Sequence, residues 1–237
     1  MHDAVDSCVS VENRLLSALP TAELEFLRSY LVPMSFKAGT FIAQPGDAMR
    51  LCYFPGSGMV SFLSTTENGG AVEVGYTGRE GMVGLPAILG KNEMPYQALV
   101  QADTECLAAD KDAVISLFRQ CGAFHDHLLR YFYALHRQIA QTCVCNHFHT
   151  IEARLCRWLA VMSERSGNRR LTLTQEFLAH MLGVQRTSIG PIANSLQQAG
   201  IIRYSRGRVE IIDNDRLVAS ACECYFIVRK EYESLYK

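Results

Sequence analysis

Hydrophobic positions recur along the chain at spacings that predict different kinds of structure. Between residues 12 and 31, leucines fall at roughly helical intervals, and Pro20 divides them into two short helices. From residue 32 to 109, short apolar stretches alternate with Gly and Pro. Many short strands separated by turn residues are typical of an antiparallel sandwich or barrel.

The next region lacks these turn residues. Residues 124–165 contain no Gly and no Pro, which predicts a long helix followed by another, with a bend near His149 and Thr150. One stripe of the first helix has the 4-3-4-3 spacing of a two-stranded coiled coil. Its positions are Leu128, Phe132, Leu135, Ile139, Thr142 and Asn146. We therefore predict a homodimer joined through this stripe; the alternative is that the stripe packs on its own domain.

The last third of the chain combines short helices with a hairpin. Thr174 suits the N-terminal cap of one helix, and Gly183 ends it before a second helix begins at Gln185 or the next residue. The second helix is predicted to stop at Gly200, before two short strands and a tight turn. This order is that of a winged helix-turn-helix. A final amphipathic helix is predicted over about 215–235.

In a winged helix-turn-helix, the first turn of the second helix enters the major groove of DNA. Arg186 can bond a guanine through two hydrogen bonds, and arginines of the hairpin suit phosphate contacts. The residues predicted to contact DNA are Thr174, Gln185, Arg186, Thr187, Ser188, Arg203, Arg206 and Arg208. Pro191 lies inside the second helix and is expected to kink or shift it.

The charge distribution agrees with a DNA partner for this module. The net charge is -1, but residues 151–213 contain nine arginines against five acidic residues. Residues 1–122 contain eight basic and fourteen acidic residues. We expect a protein that is not an enzyme, because no catalytic constellation and no phosphate-loop motif occurs. The chain has no apolar run of about 18 residues and no basic-then-apolar leader, so we expect a cytoplasmic protein without membrane contact.

The nine cysteines do not suggest a disulfide framework, and we expect mostly reduced thiols. Residues two apart on a helix point about 200° away from each other. Cys143 and Cys145 therefore cannot bind one ion together, and the same geometry excludes Cys222 with Cys224. Cys143 with His147 could bind one, but half-buried polar residues are the simpler interpretation, so we predict no metal site. Haem ligation would use one of His125, His127, His136, His147 or His149, without a motif to support it.

The order of these elements resembles the Crp/Fnr superfamily of bacterial regulators over nearly the whole chain. The stretches 36–47 and 78–85 are similar to its early strand-turn pattern and to the start of its phosphate-binding cassette. The resemblance implies an α+β fold in three parts. These are an N-terminal antiparallel β jelly-roll over 1–122, a dimerisation helix over 123–150, and the DNA-binding domain over 151–237.

The sequence departs from this family where the effector would bind. Cyclic nucleotide-binding members carry a Glu where this chain has Leu85, and an Arg and a Ser or Thr where it has Tyr96 and Gln97. Losing the phosphate charge and the ribose acceptor should cost several kcal/mol, so cyclic AMP is not expected as a tight ligand. The corresponding pocket positions are Gly84, Leu85, Tyr96, Gln97, Ala98 and Ile139. An iron-sulfur cluster is not expected either, because the N-terminus has only Cys8.

The resemblance also bears on DNA sequence choice and on the partners. Arg186 matches the family pattern, but Thr187 and Pro191 replace a Glu and a second Arg, so the target site should differ. We expect a homodimeric transcription regulator that binds a roughly palindromic site on double-stranded DNA, with RNA polymerase as a partner if it activates. The effector is unknown. The alternative is a redox, metal or haem sensor that acts through protein contacts and has a vestigial DNA module.

Overall fold

The computed structural model describes residues 12–236; Cys8 lies outside them. The helices are α1 Arg14–Ser17, α2 Thr21–Arg28, α3 Leu85–Ile88, α4 Lys111–Arg119, α5 Ala123–Phe148, α6 Ile151–Ser166, α7 Gln175–Leu182, α8 Ile189–Gln198, α9 Asn214–Ala219 and α10 Cys224–Glu233. The strands are β1 Val32–Phe36, β2 Phe41–Ala43, β3 Leu51–Pro55, β4 Val60–Thr65, β5 Ala71–Thr77, β6 Gln97–Val100, β7 Thr104–Asp110, β8 Arg170–Thr172, β9 Ile202–Ser205 and β10 Arg208–Ile211. A 3-10 turn covers Arg186–Ser188.

The strands form three sheets. One has the order β1-β7-β3 and another the order β2-β6-β4-β5, so the N-terminal part is β-rich as predicted. The third has the order β8-β10-β9 and belongs to the C-terminal part. The predicted α+β class is confirmed: a β-rich N-terminal part, a long helix and a C-terminal helix-turn-helix follow one another.

The described residues divide into two compact units. The first contains the chain up to Val60, Thr77–Phe132 and the residues from Leu235. The second contains Ser61–Tyr76 and Tyr133–Ser234. This division differs from boundaries at 122 and 150, because most of the β4–β5 hairpin groups with the C-terminal elements and α5 is shared between the units.

Within the first unit, buried polar side chains fix how the short helices begin. The side-chain Oδ1 of Asn13 caps α1 by accepting from the backbone N–H of Leu16. The side-chain Nδ2 of Asn13 donates to the backbone oxygens of Pro55 and Gly81 at 2.8 and 2.9 Å. The Glu23 carboxylate accepts from the backbone N–H groups of Ala123 and Phe124 at 2.8 and 2.7 Å. A carboxylate at this position satisfies donors that a helix N-terminus leaves free, and it complements the helix dipole.

Within the second unit, the β4–β5 hairpin is joined to the helices by Glu73. This buried carboxylate accepts hydrogen bonds from Ser61 Oγ at 2.5 Å and from Trp158 Nε1 at 3.1 Å. Burial raises the pKa of Glu73, although these two bonds and the charge of Arg157 act in the opposite direction. The Trp158 ring also packs on Phe177 of α7, with ring centroids 6.0 Å apart.

Two predictions about the helices have different outcomes. The bend near His149 and Thr150 is confirmed, because α5 ends at Phe148 and Thr150 caps α6. The single helix predicted over 215–235 is wrong, because the chain leaves helical geometry between α9 and α10. In the described part of the chain, no helix combines the length and the apolar character needed to cross a membrane.

Candidate nucleic-acid interface

The helix-turn-helix is formed by local signals of its own sequence. Thr174 caps α7, because its hydroxyl accepts from the backbone N–H of Phe177 at 3.1 Å. Gly183 ends α7 in the left-handed region, at φ +61°, where glycine has no Cβ to clash. Leu178, Met181 and Leu182 are buried, so α7 offers its other face to solvent.

The segment after this turn holds the predicted base-reading residues. Gln185 is extended, Arg186–Ser188 forms the 3-10 turn, and only then does α8 begin. Gln185, Arg186 and Thr187 are exposed, and Ser188 is half-buried. On the other side, Ile189, Ala193 and Leu196 are buried, whereas Ala199 after the end of the helix is exposed. The result is a short turn that presents three polar side chains to solvent.

Pro191 lies in the first turn of α8, which removes the reason for which a kink was expected. It is the third residue of α8, because the segment before it is 3-10 rather than α. The first four N–H groups of an α-helix have no intrahelical acceptor, so a proline there removes no helix bond. Pro191 is exposed. It therefore favours the short, separate first turn that carries Arg186.

The wing is the β9–β10 hairpin, with a two-residue turn at Arg206 and Gly207. Ser205 pairs with Arg208 across the turn, and the two turn residues have φ values of +48° and +75°. Positive φ at both central positions is the geometry of a type I′ turn, which Asn-Gly adopts most readily. An arginine at the first position is strained. Arg206 is exposed there, at the tip of the wing.

An acidic residue neutralises part of this basic surface. Glu210 Oε2 pairs with Arg203 Nη1 at 2.8 Å, and its Oε1 pairs with Arg170 Nε at 2.9 Å. Hydrogen bonding from Arg170, then the charges of both arginines, lowers the pKa of Glu210. Arg186, Arg206 and Arg208 take part in no salt bridge among residues 12–236. They are the free cations of this surface, whereas Arg203 needs to leave Glu210 before it can contact a phosphate fully.

The substitution Arg206→Asn is expected to relieve the backbone strain at the tip of the wing and to remove one positive charge, and each effect has its own measurement. Asparagine adopts positive φ more readily, so the hairpin should gain a few tenths to about 1 kcal/mol of stability. Loss of one phosphate contact should weaken DNA binding at all sequences and reduce the slope of log affinity against log salt by about one. Urea unfolding and a salt series of DNA binding measure the two effects. An unchanged slope would show that Arg206 does not contact phosphate.

The predicted effector positions lie mainly in the first unit. Gly84 has φ +113° at the start of α3, and a Cβ there would come within 3.1 Å of Cys52 Sγ. Leu85 and Ala98 are buried, while Tyr96 and Gln97 are half-buried. Burial raises the pKa of Tyr96 to about 12, so its phenol is neutral. None of these side chains supplies a positive charge for a phosphate, and Ile139 belongs to the second unit.

A surface pocket of about 540 Å³ lies beside this stretch of sequence. It is lined by Pro86 and residues 90–95, which include Lys91. The predicted effector residues do not line it. The resemblance to the family indicates the cassette positions themselves and not these neighbouring residues.

The apolar stripe of α5 that remains exposed is shifted relative to the predicted dimer seam. Leu128, Leu135 and Thr142 are buried within their own chain and Ile139 is half-buried, whereas Phe132 and Asn146 are exposed. The exposed side also repeats at 4-3 spacing, one residue further along. Six exposed residues follow this spacing, namely Leu129, Tyr133, His136, Ala140, Cys143 and His147, and Phe132, Val144 and Phe148 are exposed beside them. The chain itself thus covers three of the six positions of the predicted seam, and the dimer and its register stay predictions.

The cysteine and histidine run of α5 is also divided by this orientation. Cys143 and His147, the pair with metal-binding spacing, are exposed. Cys145 is buried and lies near His149, Cys222 and Cys224, although these were predicted not to form a metal site. The prediction that Cys222 and Cys224 cannot bind one ion together assumed that both residues are helical. It is wrong because α10 begins only at Cys224.

Family models match both parts of the chain. The cyclic nucleotide-binding domain model matches residues 33–121, and the Crp-like helix-turn-helix domain model matches residues 153–220. The second match contains α7, α8 and the wing, whose geometry was described above. Together the two matches cover about two thirds of the chain.

Known proteins resemble the chain along most of its length. The cyclic AMP receptor protein of Thermus thermophilus is 21% identical over 197 residues, covering 83% of this chain and 91% of that protein. A Crp/Fnr family regulator from Eubacterium rectale has a TM-score of 0.70 at 19% identity, covering 87% and 97%. The c-di-GMP responsive regulator CLP of Xanthomonas campestris has a TM-score of 0.62 at 19% identity, covering 81% and 99%. The structural similarities show the fold. With both family models in their expected order, the chain belongs to the Crp/Fnr superfamily of transcription regulators.

Proposed function

We propose that the protein is a homodimeric regulator that binds a roughly palindromic DNA site through the turn 185–188 and the arginine wing. The observation that carries this proposal is the exposed Arg186 in the 3-10 turn before α8, together with the wing arginines Arg206 and Arg208, none of which takes part in a salt bridge among residues 12–236. A regulator that binds DNA in this way would act in the cytoplasm. RNA polymerase would be its partner if it activates transcription.

Each part of the surface has a separate role in this proposal. Arg186 can bond a guanine edge in the major groove, and Thr187 can contact a thymine methyl or a phosphate. Arg206 and Arg208 neutralise phosphates, which sets affinity rather than sequence choice. Thr174 is occupied as a helix cap through its hydroxyl, so its contribution is to hold α7 in place.

The exposed stripe of α5 supports the homodimer. It places Leu129, Tyr133 and Phe148 in water, and Phe148 is 74% exposed. A second copy of the same helix would cover these side chains around a two-fold axis. Two recognition turns related by such an axis would bind half-sites about one helical turn, ~34 Å, apart.

The effector is proposed to be something other than cyclic AMP. Leu85 is buried where the family's ribose-binding Glu would lie, and Tyr96 and Gln97 carry no charge for a phosphate. The similar regulator from Xanthomonas campestris responds to c-di-GMP, so this fold can serve other ligands. Calorimetric titration with cyclic AMP should show no tight binding. A dissociation constant in the low micromolar range would overturn this part.

Arg186→Ala is the direct test of the DNA interface. We expect specific binding to weaken by about 1–3 kcal/mol, or roughly 5- to 150-fold, with relaxed choice at one base position. The measurement is selection of sites from a random DNA pool, followed by mobility-shift titration of wild type and variant. Lys230→Ala removes one exposed charge from α10 and serves as the matched control.

The alternative function predicts a different pattern. A metal, redox or haem sensor with a vestigial DNA module would show weak binding and little salt dependence. Neutralisation of several phosphates instead gives a steep fall in affinity with salt. If Arg186→Ala bound its site as tightly as wild type, Arg186 would not be the base reader; a flat salt slope for the wild type would favour the alternative.

A further inference from the structure

Four potential metal ligands meet inside the second unit, away from the DNA-reading surface. Cys145 lies in the last turn of α5, and His149 follows the end of that helix and donates its backbone N–H to the Cys145 carbonyl oxygen at 3.2 Å, which brings the two residues together. Cys222 lies in the loop before α10, and Cys224 is the first residue of α10. We call these residues the Cys3His cluster. The three cysteines are buried and unoxidised, and His149 is half-buried.

The spacing of the ligand atoms fits one ion. Cys145 Sγ and Cys222 Sγ are 3.5 Å apart, and Cys224 Sγ is 3.4 Å from His149 Nδ1. All four ligand atoms lie within 4.8 Å of one another. Tetrahedral zinc bonds of about 2.3 Å to sulfur and 2.0–2.1 Å to nitrogen place neighbouring ligand atoms roughly 3.5–3.8 Å apart. An iron-sulfur cluster bonds its cysteines to different iron atoms and needs a wider set.

Hydrogen bonds around the cluster orient its ligands as metal sites require. His149 Nε2 is 3.1 Å from Glu223 Oε1, which leaves Nδ1 facing Cys224. A carboxylate that accepts from the non-ligating nitrogen fixes the histidine tautomer and makes it a better ligand. Gln141 Nε2 donates to Cys224 Sγ at 3.1 Å, a bond that stabilises a thiolate.

Buried positive charge accompanies the cluster. Arg157 is buried on α6, and its Nε has no hydrogen-bond partner among the described residues. Burial alone would lower the pKa of Arg157, but the negative charges of Cys145, Tyr76 and Glu73 reverse this. Three thiolates, a neutral histidine and a divalent ion carry one net negative charge, which a buried guanidinium can balance.

We propose that the Cys3His cluster binds one zinc ion, which ties α10 to α5. Three sulfurs and one imidazole in a closed, tetrahedral arrangement are typical of structural zinc sites. Metal binding would fix the start of α10, and α10 is attached to α6 through the bond from Tyr225 to Glu164 at 2.9 Å. The ion would therefore hold the C-terminal helix on the helix that carries the exposed stripe.

The test is the metal content of the full-length protein, prepared with reductant and incubated with zinc before removal of free metal. We expect one zinc per chain by plasma mass spectrometry in the wild type. Cys143→Ser, whose side chain points to solvent two residues from Cys145, should keep it. Cys145→Ser and Cys222→Ser should retain less than a tenth of this amount. Cobalt in place of zinc should give the intense visible bands of a tetrahedral thiolate site.

A second variant keeps the proposal testable if the cysteine variants fail to fold. His149→Ala removes a partly exposed ligand, so it should fold and release zinc to a chromogenic chelator at least tenfold faster than wild type. Three results would overturn the proposal: a wild type without zinc after incubation, a Cys143→Ser variant that loses the metal, or iron with acid-labile sulfide in place of zinc.

Discussion

Gly81→Ala is expected to destabilise the first unit by about 3–5 kcal/mol, an effect among the largest for a single substitution. An added Cβ would lie 2.0 and 2.3 Å from two ring carbons of Tyr131, and 2.7 Å from Thr77 Oγ1. Carbon atoms that are not bonded to each other do not approach this closely, so either the backbone or the ring has to move.

The ring cannot move without breaking its own contacts. Tyr131 is fully buried, and its hydroxyl lies 2.8 Å from Thr77 Oγ1 and 3.1 Å from the Met82 carbonyl oxygen. Displacing it would leave buried polar groups without partners, at about 1–3 kcal/mol each. Because Gly81 belongs to the stretch that resembles the family's phosphate-binding cassette, the same substitution would distort that stretch as well.

Urea unfolding followed by far-ultraviolet circular dichroism measures this loss. Gly190→Ala is the matched control, since its added Cβ meets only Gln175 atoms at 3.5 Å or more and the residue is helical. It should be neutral or slightly stabilising. Tyr131→Leu provides a double-mutant cycle: Gly81→Ala should cost less in that background. A loss below 1 kcal/mol, or full additivity, would show that Tyr131 is not the obstacle.

Much of the fold could be predicted because its signals are local. Gly183 ends α7, the turn at Gly207 forms the wing, and the region without Gly or Pro becomes α5 and α6. Each of these depends on the conformational preferences of a few neighbouring residues. The predicted base-reading turn around Arg186 is exposed for the same reason, since its position follows from the two helices beside it.

The missed features depend on contacts between distant residues. A heptad on α5 does not show which of its positions the chain itself covers, and Leu128 is buried within its own chain. The Cys3His cluster requires that Cys222 lie outside α10, which the charge and spacing of 215–235 do not indicate. Glu210 neutralises Arg203 across two strands, and that pairing is visible only once the register is known.

Trp158→Ala is expected to cost about 3–5 kcal/mol and to detach the β4–β5 hairpin from the helices of the second unit. Trp158 is 2% exposed, it donates to the buried Glu73, and it packs on Phe177 of the helix-turn-helix. Removing the indole leaves a cavity and takes one hydrogen-bond donor from a buried carboxylate. DNA affinity should fall with stability, since α7 loses a neighbour. Urea unfolding measures the first effect and mobility-shift titration the second.

Trp158→Phe removes the hydrogen bond to Glu73 but keeps an aromatic ring in the core. The pH dependence of its stability then tests whether Glu73 is the group that loses the bond. Burial already raises the pKa of Glu73 above its ordinary value of 4.5, so the folded protein holds the proton more tightly than the unfolded chain. The stability contributed by this group therefore falls as pH rises through the interval between the two pKa values. Loss of the indole donor disfavours the charged form and raises the pKa of Glu73 further. The variant should be closer to wild type near pH 4 than at pH 8. In a Glu73→Gln background this pH dependence should disappear, because the amide does not titrate. If the pH dependence persisted, another group would be responsible for it. Glu73 would then not be the acceptor that anchors the hairpin.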